Sequence, residues 1–401
     1  MARNTKLPTI TFLSSYPPTF CGLATFTLAL REAIASERGS ETGLGVVSLV
    51  DSRPSASPAE VVYEHVNGNH ASLLGAINVL NSFDTVFVQH EYGIYGGPDG
   101  HEVIDLLSGL EVPAIATLHT VLSRPTRSQR SILEAVAALA DETIVMSETA
   151  YRRLVDGYQV DPDKVRVVPH GARTNLGGPS LAAGTRPVVL TWGLIGPGKG
   201  LEMAIDAFAG LADLRPLPRY VILGKTHPKV QAQHGNAYRE SLSARVHDLG
   251  LVDMVEFDDR YLDTGALAVA IRKADLVVLP YDSTEQVTSG VLVEALAAGK
   301  PVVATAFPHA VELLRGGAGI VVPHDDPNAL TAALRNVLTD APLAARMAKQ
   351  ARQIRSEVFW PAVANRYDQL AAELFARQQY ISTLLKVSES QKALNAPVMV
   401  G

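Results

Sequence analysis

The stretch ADLVVLPYDSTEQVTSGVLVEALAAGKPVVAT, residues 274–305, decides the fold of this 401-residue chain. It begins with the apolar run DLVVLPY and ends with the similar run PVVAT. Continuous apolar runs of this kind are typical of parallel strands that are covered on both faces. Between them, VLVEALAA predicts a buried helix that Thr288 or Ser289 caps and that stops at Gly299. The stretch therefore predicts a strand, a loop, a helix and a second strand.

Glu294 is the single charge of this helix. Because an unpaired buried carboxylate is strongly destabilising, Glu294 needs a partner. The helix start, where Gly290 permits close approach, offers free N–H groups and a positive dipole end to an anion. These features fit a nucleoside diphosphate at the helix start with Glu294 on a sugar hydroxyl. They fit equally well a buried glutamate that caps a neighbouring loop.

The composition is that of a soluble globular protein, with 47% hydrophobic and 19% charged residues. A net charge of -6 and a pI near 6.0 argue against nucleic acid as the main partner. Cys21 is the one cysteine, so an intrachain disulfide is excluded. The apolar run TITFL is too short for a signal sequence, and no apolar run is long enough to span a bilayer. We therefore expect a cytoplasmic protein.

Predicted strands and helices alternate in two halves of the chain, which is typical of doubly wound parallel sheets. A stretch rich in Gly, Pro and Ser, residues 171–186, separates the halves. We predict an α/β protein with two Rossmann-like domains, 1–178 and 185–357. Ligands of such sheets bind at the carboxyl ends of the strands.

The segment 358–380 has a helical pattern with more apolar residues on one stripe than a terminal surface helix needs. The stripe comprises Phe359, Trp360, Val363, Tyr367 and Leu370. We expect this helix to pack against a large surface. Residues 381–401 show no clear pattern and have no assigned role.

Polar candidates in the first domain follow the predicted strands. Gly22 would permit a tight turn into the first helix. His90 and Glu91 follow one strand, and His119 and His170 follow two others. Because these strand ends meet at one edge, we expect at least one imidazole to contact a substrate, although a single such histidine is more often structural. Zinc is disfavoured because neither tight ligand spacing nor cysteine supports it.

Basic candidates in the second domain also follow strands. The turn LIGPGKG precedes a helix and lets Lys199 place its charge on a phosphate, although a solvated lysine is an equally good interpretation. It is not a P-loop, because the GK[ST] ending is missing. Lys225 and His227 follow the next strand. Arg260 and Tyr261 follow a third, where a nucleobase could stack or form hydrogen bonds.

The order and spacing of these motifs resembles the retaining family 4 glycosyltransferases, most of all their bacterial mannosyltransferase-like group. The resemblance covers roughly residues 8–380 and is carried by TFCGLATF, QHEYGIYGG, TLHTVL, KVRVVPHG, GLIGPGKG, GKTHP and TSGVLVEALAAGKPVVAT. It implies a GT-B fold, in which two Rossmann-like domains face each other across a cleft and a C-terminal helix crosses back to the first domain.

The resemblance also implies residue roles. Glu294 matches the second glutamate of the family's E(x7)E motif, which holds the donor ribose, and Gln286 stands in place of the first. Lys199 matches the lysine that neutralises the donor diphosphate, but Leu194 stands where an arginine is usual. His119 matches a histidine that contacts the transferred sugar. These three matched residues, His119, Lys199 and Glu294, are the expected catalytic residues.

Other expected contacts follow from the same resemblance. Because Leu194 replaces the usual arginine, we expect Lys225 or backbone amides to neutralise the second negative charge of the diphosphate. The expected donor site comprises Lys199, Lys225, Arg260, Tyr261, Gln286, Thr288, Ser289, Gly290 and Glu294. The expected acceptor side comprises Gly22, His90, Glu91, His119 and His170.

The reaction that the resemblance implies is transfer of a hexose to a carbohydrate or other hydroxyl acceptor, from GDP-mannose or else from UDP-glucose. The configuration at the anomeric carbon would be retained, because the acceptor hydroxyl would attack from the front side through an oxocarbenium-like state. Asp258 and Asp259 are adjacent carboxylates, but no DxD pattern lies at a suitable strand end. We therefore expect metal-independent transfer and no cofactor.

Two alternatives remain open on the same fold. One is a retaining phosphorylase, in which inorganic phosphate takes the place of the donor diphosphate. The other is a non-catalytic sugar-nucleotide-binding subunit, which Gln286 and Leu194 suggest. Arg124, Arg127 and Arg130 could meet an anionic acceptor or a lipid headgroup, so peripheral membrane contact stays open, although spaced arginines more often form a solvated face.

Overall fold

The computed structural model describes residues 7–173 and 186–394. Within this part of the chain, the first half forms a parallel sheet whose strands are β1 (Ile10–Ser14), β2 (Leu44–Val50), β3 (Val61–Val66), β4 (Thr85–His90), β5 (Ala114–Leu118), β6 (Glu142–Val145) and β7 (Val165–Val167). The strands lie in the order β3-β2-β1-β4-β5-β6-β7.

The second half forms a parallel sheet with the same winding. Its strands are β8 (Val188–Trp192), β9 (Arg219–Leu223), β10 (Val255–Asp258), β11 (Leu276–Leu279), β12 (Val302–Thr305) and β13 (Gly319–Val322). They lie in the order β10-β9-β8-β11-β12-β13. The strand order therefore reverses beside β1 in the first sheet and beside β8 in the second. Ligands of doubly wound sheets bind at such reversals, at the carboxyl ends of the strands.

Helices cover both sheets. They are α1 (Gly22–Arg38), α2 (His70–Leu80), α3 (Glu102–Ser108), α4 (Arg127–Leu139), α5 (Glu148–Gly157), α6 (Leu201–Ala209), α7 (Pro228–His234), α8 (Ala237–Asp248), α9 (Thr264–Lys273), α10 (Gly290–Ala297), α11 (Pro308–Leu314), α12 (Pro327–Thr339), α13 (Ala341–Ala351), α14 (Arg355–Val358) and α15 (Trp360–Leu394). No helix in the described residues is both long and apolar enough to cross a membrane.

Continuous apolar runs such as PTITFLS and DTVFVQH predict six strands in the first half of the chain, and β3 is not among them. Edge strand β3 has the sequence VVYEHV, in which polar and apolar residues mix and only one side chain is fully buried. The other strands of the first sheet are largely apolar and buried; β1, for example, is buried at every position. Because the prediction relied on continuous apolar runs, a half-exposed edge strand gave too weak a signal.

The C-terminal helix returns to the first domain. Helix α15 packs its residues Trp360, Val363 and Tyr367 into the same core as α1 and the strands of the first sheet. The guanidinium of Arg38 on α1 donates from Nε to Oδ1 of Asp368 at 3.0 Å. The helix is longer than predicted and continues to Leu394. Most of the predicted interdomain linker, residues 174–185, lies outside the described residues.

Candidate active site

The start of α10 lies at the strand reversal of the second sheet, directly after the loop that follows β11. Ser289 is the N-cap, and its hydroxyl accepts from the N–H of Leu292 at 3.3 Å. The N–H of Ser289 itself donates to Nδ1 of His309 at 2.8 Å. Among the described residues, no hydrogen bond uses the N–H groups of Gly290 and Val291. These two amides are therefore the donors that the helix offers to a ligand.

His170 of the first domain lies against this helix start. A Cβ atom on Gly290 would stand 2.7 Å from Nε2 of His170, so only glycine permits the approach. Nδ1 of His170 donates to the carbonyl of Gly171 at 2.7 Å. Burial lowers the pKa of His170 to about 4, so Nε2 carries no proton at neutral pH. The imidazole of His170 thus narrows the space in front of the first N–H groups of α10, which we call the helix mouth. A diphosphate bound there would share this space with the imidazole.

Glu294 lies one turn into α10. The indole of Trp192, the last residue of β8, and the positive charge of Arg173 both favour its ionised form and act to lower its pKa. Burial nevertheless dominates and raises the pKa of Glu294 above its ordinary value. Glu294 therefore lies near the end of β8 and near Arg173 of the first domain, one turn from the start of α10.

The turn after β8 carries Lys199 and is built on glycine. Gly198 and Gly200 have φ values of 87° and 61°, which a side chain would disfavour. A Cβ atom on Gly200 would also stand 1.7 Å from the carbonyl oxygen of Pro280. Close packing against the loop after β11 therefore requires these glycines. It brings Nζ of Lys199 over the ring of Tyr281, 4.5 Å from its centroid.

Further basic side chains gather at this edge of the second sheet. Burial lowers the pKa of His227, and the charges of Lys229 and Lys199 lower it further, which places both lysines near its ring. Nζ of Lys225 lies 5.3 Å above the ring of Phe20 in the first domain. Nζ of Lys229 lies 3.4 Å from the carbonyl oxygen of Gly93, also in the first domain. The cationic edge of the second domain thus faces the first domain directly.

Arg260 and Tyr261, the residues expected at a nucleobase, have other partners. The Nε of Arg260 donates to Oδ1 of Asp258 at 2.9 Å, and this bond holds the pKa of Asp258 below its ordinary value. The ring of Tyr261 lies 4.6 Å from that of Phe20, and its hydroxyl lies 3.3 Å from Oγ1 of Thr25. A cavity of about 560 Å³ opens beside them. Its lining residues include Lys225, Thr226, Asn236, Arg239 and Asp259.

The imidazoles of His119 and His170 line the surface of the first domain that faces the second domain. The rings of His119 and His170 both lie edge-on to Phe26, with centroids 4.9 and 5.0 Å away. Nε2 of His119 donates to Oε1 of Gln89 at 2.7 Å. The pKa of His119 is lowered to about 3 by burial and then by His170 and His90. Both rings are therefore neutral at physiological pH.

Three other acceptor-side candidates differ in their access. His90 is fully buried, and neither of its ring nitrogens has a hydrogen-bond partner among the described residues. Glu91 accepts from Oγ1 of Thr120 and from the N–H of Tyr92, and its burial raises its pKa. Nothing lies within 4 Å of the position that a Cβ atom on Gly22 would occupy. Gly22 therefore leaves open space at the start of α1, whereas His90 has no open path to an acceptor.

Three more residues of the site had no place in the sequence prediction. Trp192 ends β8, Tyr281 follows β11, and His309 follows β12. Each stands just at or beyond the carboxyl end of a strand, which is the one signal that could have identified them. Among the described residues, no three His, Cys, Asp or Glu side chains are grouped so as to hold a metal ion.

Two family profiles match adjacent parts of the chain. The profile described as glycosyl transferases group 1 matches residues 174–354, and the profile described as glycosyltransferase family 4 matches residues 45–176. Solved structures share the fold along nearly the whole chain. Sucrose-phosphate synthase from Thermosynechococcus elongatus has a TM-score of 0.72 at 21% identity, covering 92% of this chain and 100% of that one. HepE from Anabaena, solved with UDP and glucose, has a TM-score of 0.71 at 18% identity and covers 91% and 100%.

The fold and the position of the site define a GT-B protein, and the profiles assign this chain to glycosyltransferase family 4. A D-inositol 3-phosphate glycosyltransferase from Acidothermus cellulolyticus is 30% identical over 252 residues, which are 57% of this chain and 54% of that protein. The match thus spans only about half the length of that relative. The mannosyltransferase-like group expected from the sequence stays a prediction.

Proposed function

We propose that this protein transfers a hexose from a nucleoside-diphosphate sugar to a hydroxyl acceptor, with retention at the anomeric carbon and without a metal ion. One observation carries the proposal. Lys199 follows β8, and α10 with Glu294 follows β11, the neighbouring strand at which the order of the second sheet reverses. Among the described residues, no hydrogen bond uses the amides of Gly290 and Val291 at the start of α10. A cation and oriented N–H groups stabilise the charge that develops on a departing diphosphate.

The chemistry follows from this arrangement. The bond between the anomeric carbon and the diphosphate breaks, and the acceptor oxygen forms its bond on the same face of the sugar. The hydroxyl proton passes to the departing diphosphate. Lys199 and the amides of α10 stabilise the leaving group as its charge grows. Contacts between the domains, such as those of Phe20 with Tyr261 and Lys225, exclude water that would hydrolyse the donor.

His119 has a limited role in this proposal. With a pKa near 3 it stays neutral at physiological pH and supplies no proton. Because Nε2 already donates to Gln89, Nδ1 is left to accept a hydrogen bond from a hydroxyl of the transferred sugar. It therefore orients the sugar.

For the donor we propose UDP-glucose or GDP-mannose, with UDP tested first because HepE was solved with UDP and glucose. The nucleobase is assigned to the cavity beside Lys225 and Asp259, which has room for it. For the acceptor, the relative named for D-inositol 3-phosphate makes a phosphorylated polyol the first compound to test.

Calorimetry and a transfer assay test the proposal together. We expect UDP or GDP to bind, and NMR of the product to show the donor's anomeric configuration. Lys199→Ala and Glu294→Ala should each lower kcat/KM by about 10²-fold, within the range for lost leaving-group contacts. Lys349→Ala, which changes an exposed lysine of α13, should leave it unchanged. Unchanged transfer in both site variants would refute the proposal.

A non-catalytic sugar-nucleotide-binding protein is the second candidate. One observation favours it: Nε2 of Gln286 donates to the carbonyl of Thr288 at 3.1 Å, so this side chain folds onto its own loop. This candidate predicts nucleotide binding without turnover for any acceptor.

A further inference from the structure

The loop that leads into α10 is held by both domains. This loop, residues 282–289, starts after β11 and ends at the N-cap of the helix. From within the second domain, the N–H of His309 donates to the carbonyl of Gln286 at 3.2 Å, and Nδ1 of His309 accepts from Ser289. From the first domain, Oγ of Ser147 donates to the carbonyl of Val287 at 2.8 Å.

Val287 strengthens this attachment by burial. Its side chain is 1% exposed and belongs to the hydrophobic core of the first domain, although the chain around it belongs to the second. The loop that shapes the helix mouth therefore depends on the first domain for its position.

An ion pair fixes the middle of the loop. Oε2 of Glu285 accepts from the N–H of Ser123 at 2.7 Å and from Nη1 of Arg153 at 2.9 Å, and its other oxygen accepts from the hydroxyl of Ser123. Nη1 of Arg153 also donates to the carbonyl of Glu285 at 3.1 Å and to that of Val121 at 3.2 Å. One guanidinium thus joins a loop of the second domain to a loop of the first.

The environment of this pair supports a charged interaction. The side chains of Arg153 and Glu285 are 19% and 33% exposed. Burial alone would raise the pKa of Glu285, but the Ser123 hydrogen bonds and the charges of Arg153 and Arg124 outweigh it and hold the pKa below its ordinary value. A partly buried carboxylate with several charge-assisted donors contributes more than an exposed surface pair.

We propose that Arg153 and Glu285 are positioning residues for the donor: their ion pair latches the loop 282–289 onto the first domain and so sets the amides and Glu294 of α10. Neither side chain needs to touch the donor. This inference rests on the proposed function, since it explains how domain contact is coupled to the donor site. It also gives two adjacent loop residues different roles. Gln286 forms a hydrogen bond within the loop, whereas Glu285 forms an ion pair with Arg153 of the first domain.

Titration of the purified full chain with UDP and with GDP tests the latch. We expect Arg153→Met and Glu285→Gln each to weaken nucleotide binding about tenfold, a usual size for coupling between separate sites. The double variant should be no weaker than either single variant, because both remove one shared interaction. In turnover assays the donor KM should rise by the same factor while kcat stays within about twofold.

Two further variants exclude a merely structural effect. Arg153→Lys should recover part of the affinity, because it keeps the charge but lacks the fork that reaches several oxygens. Glu256→Gln breaks an exposed pair with Arg219 at 3.1 Å and should leave binding unchanged. If the wild-type protein binds nucleotide and the Arg153 and Glu285 variants bind equally well, or if the double variant shows additive losses, the latch is refuted. If the wild-type protein binds neither nucleotide, the proposed function falls and the positioning role falls with it.

Discussion

The two domains share one winding pattern but present opposite chemistry to each other. The first domain presents neutral imidazoles that lie against Phe26, completed by Trp360 from α15. The second presents lysines and two helix amides that no hydrogen bond uses within the part of the chain that the structure describes. In the proposed reaction, the surface of the first domain orients the uncharged sugar and the surface of the second receives the charged diphosphate. The topology sets where a ligand binds, and the side chains at the strand ends set which part of it binds.

The largest effect should come from removing Trp360, which packs behind the imidazoles of the first domain. Trp360 is 7% exposed and lies 5.3 Å from the ring of Phe26. Trp360→Ala should lower the free energy of unfolding by about 3–5 kcal/mol, because it leaves a cavity in a packed core. Urea denaturation measures the loss. Leu384→Ala changes a half-exposed residue of the same helix and should cost little, and equal losses in both variants would contradict the packing described.

A second variant tests how closely the two surfaces meet. Gly290→Ala would place a methyl group 2.7 Å from His170 and push the helix start away from the first domain. We expect donor affinity to fall by about tenfold, in the range of coupling between sites. His170→Ala in the same chain should restore part of the loss by removing the clash. Calorimetry with UDP measures both, and a Gly290→Ala protein with wild-type affinity would show that the contact has no role.

The neutral imidazoles make stability depend on pH. The pKa values are lowered by burial to about 3 for His119 and about 4 for His90, His170 and His309, against about 6.5 in the unfolded chain. Below pH 6.5 the unfolded chain binds more protons, so stability is full above that value and declines as the pH falls toward 4. Each buried imidazole contributes up to about 1.4 kcal/mol per pH unit.

Thermal unfolding between pH 7.5 and 4.5 measures this slope. His90→Leu should flatten it, because it removes a fully buried imidazole whose ring nitrogens have no partner among the described residues. His247→Leu, which changes an exposed histidine, should keep the wild-type slope. A slope unchanged by His90→Leu would show that His90 does not titrate as its burial requires.

The smallest effect should be a difference in salt dependence between ligands of the two domains, because only the surface of the second domain is rich in lysine. Because Lys199, Lys225 and Lys229 gather on the second domain, binding of UDP should weaken by about threefold between low and high salt. An uncharged acceptor analogue that binds the first domain should show no such dependence. Titrations at several salt concentrations distinguish the two, and salt-independent UDP binding would argue against a role for these lysines.

The sequence by itself determined the two Rossmann-like halves, the strands after which Lys199 and His119 lie, and the helix that carries Glu294. These features depend on hydrophobic periodicity, helix-capping residues and glycines at turns. All of these signals are local and can be read from short segments of the sequence. The partly exposed strand β3 and the final turns of α15 were missed because their apolar pattern is weak.

Only the tertiary structure decided which side chains meet across the cleft. Neighbouring loop residues such as Glu285 and Gln286 look interchangeable in sequence, yet one reaches Arg153 in the other domain and the other folds onto its own loop. Likewise, His170 meets Gly290, and Tyr261 meets Phe20 rather than standing free. Such contacts depend on how two separately folded sheets are oriented. Long-range packing contributes to that orientation, including the packing of Val287 and α15 against the first domain, and no local pattern encodes it.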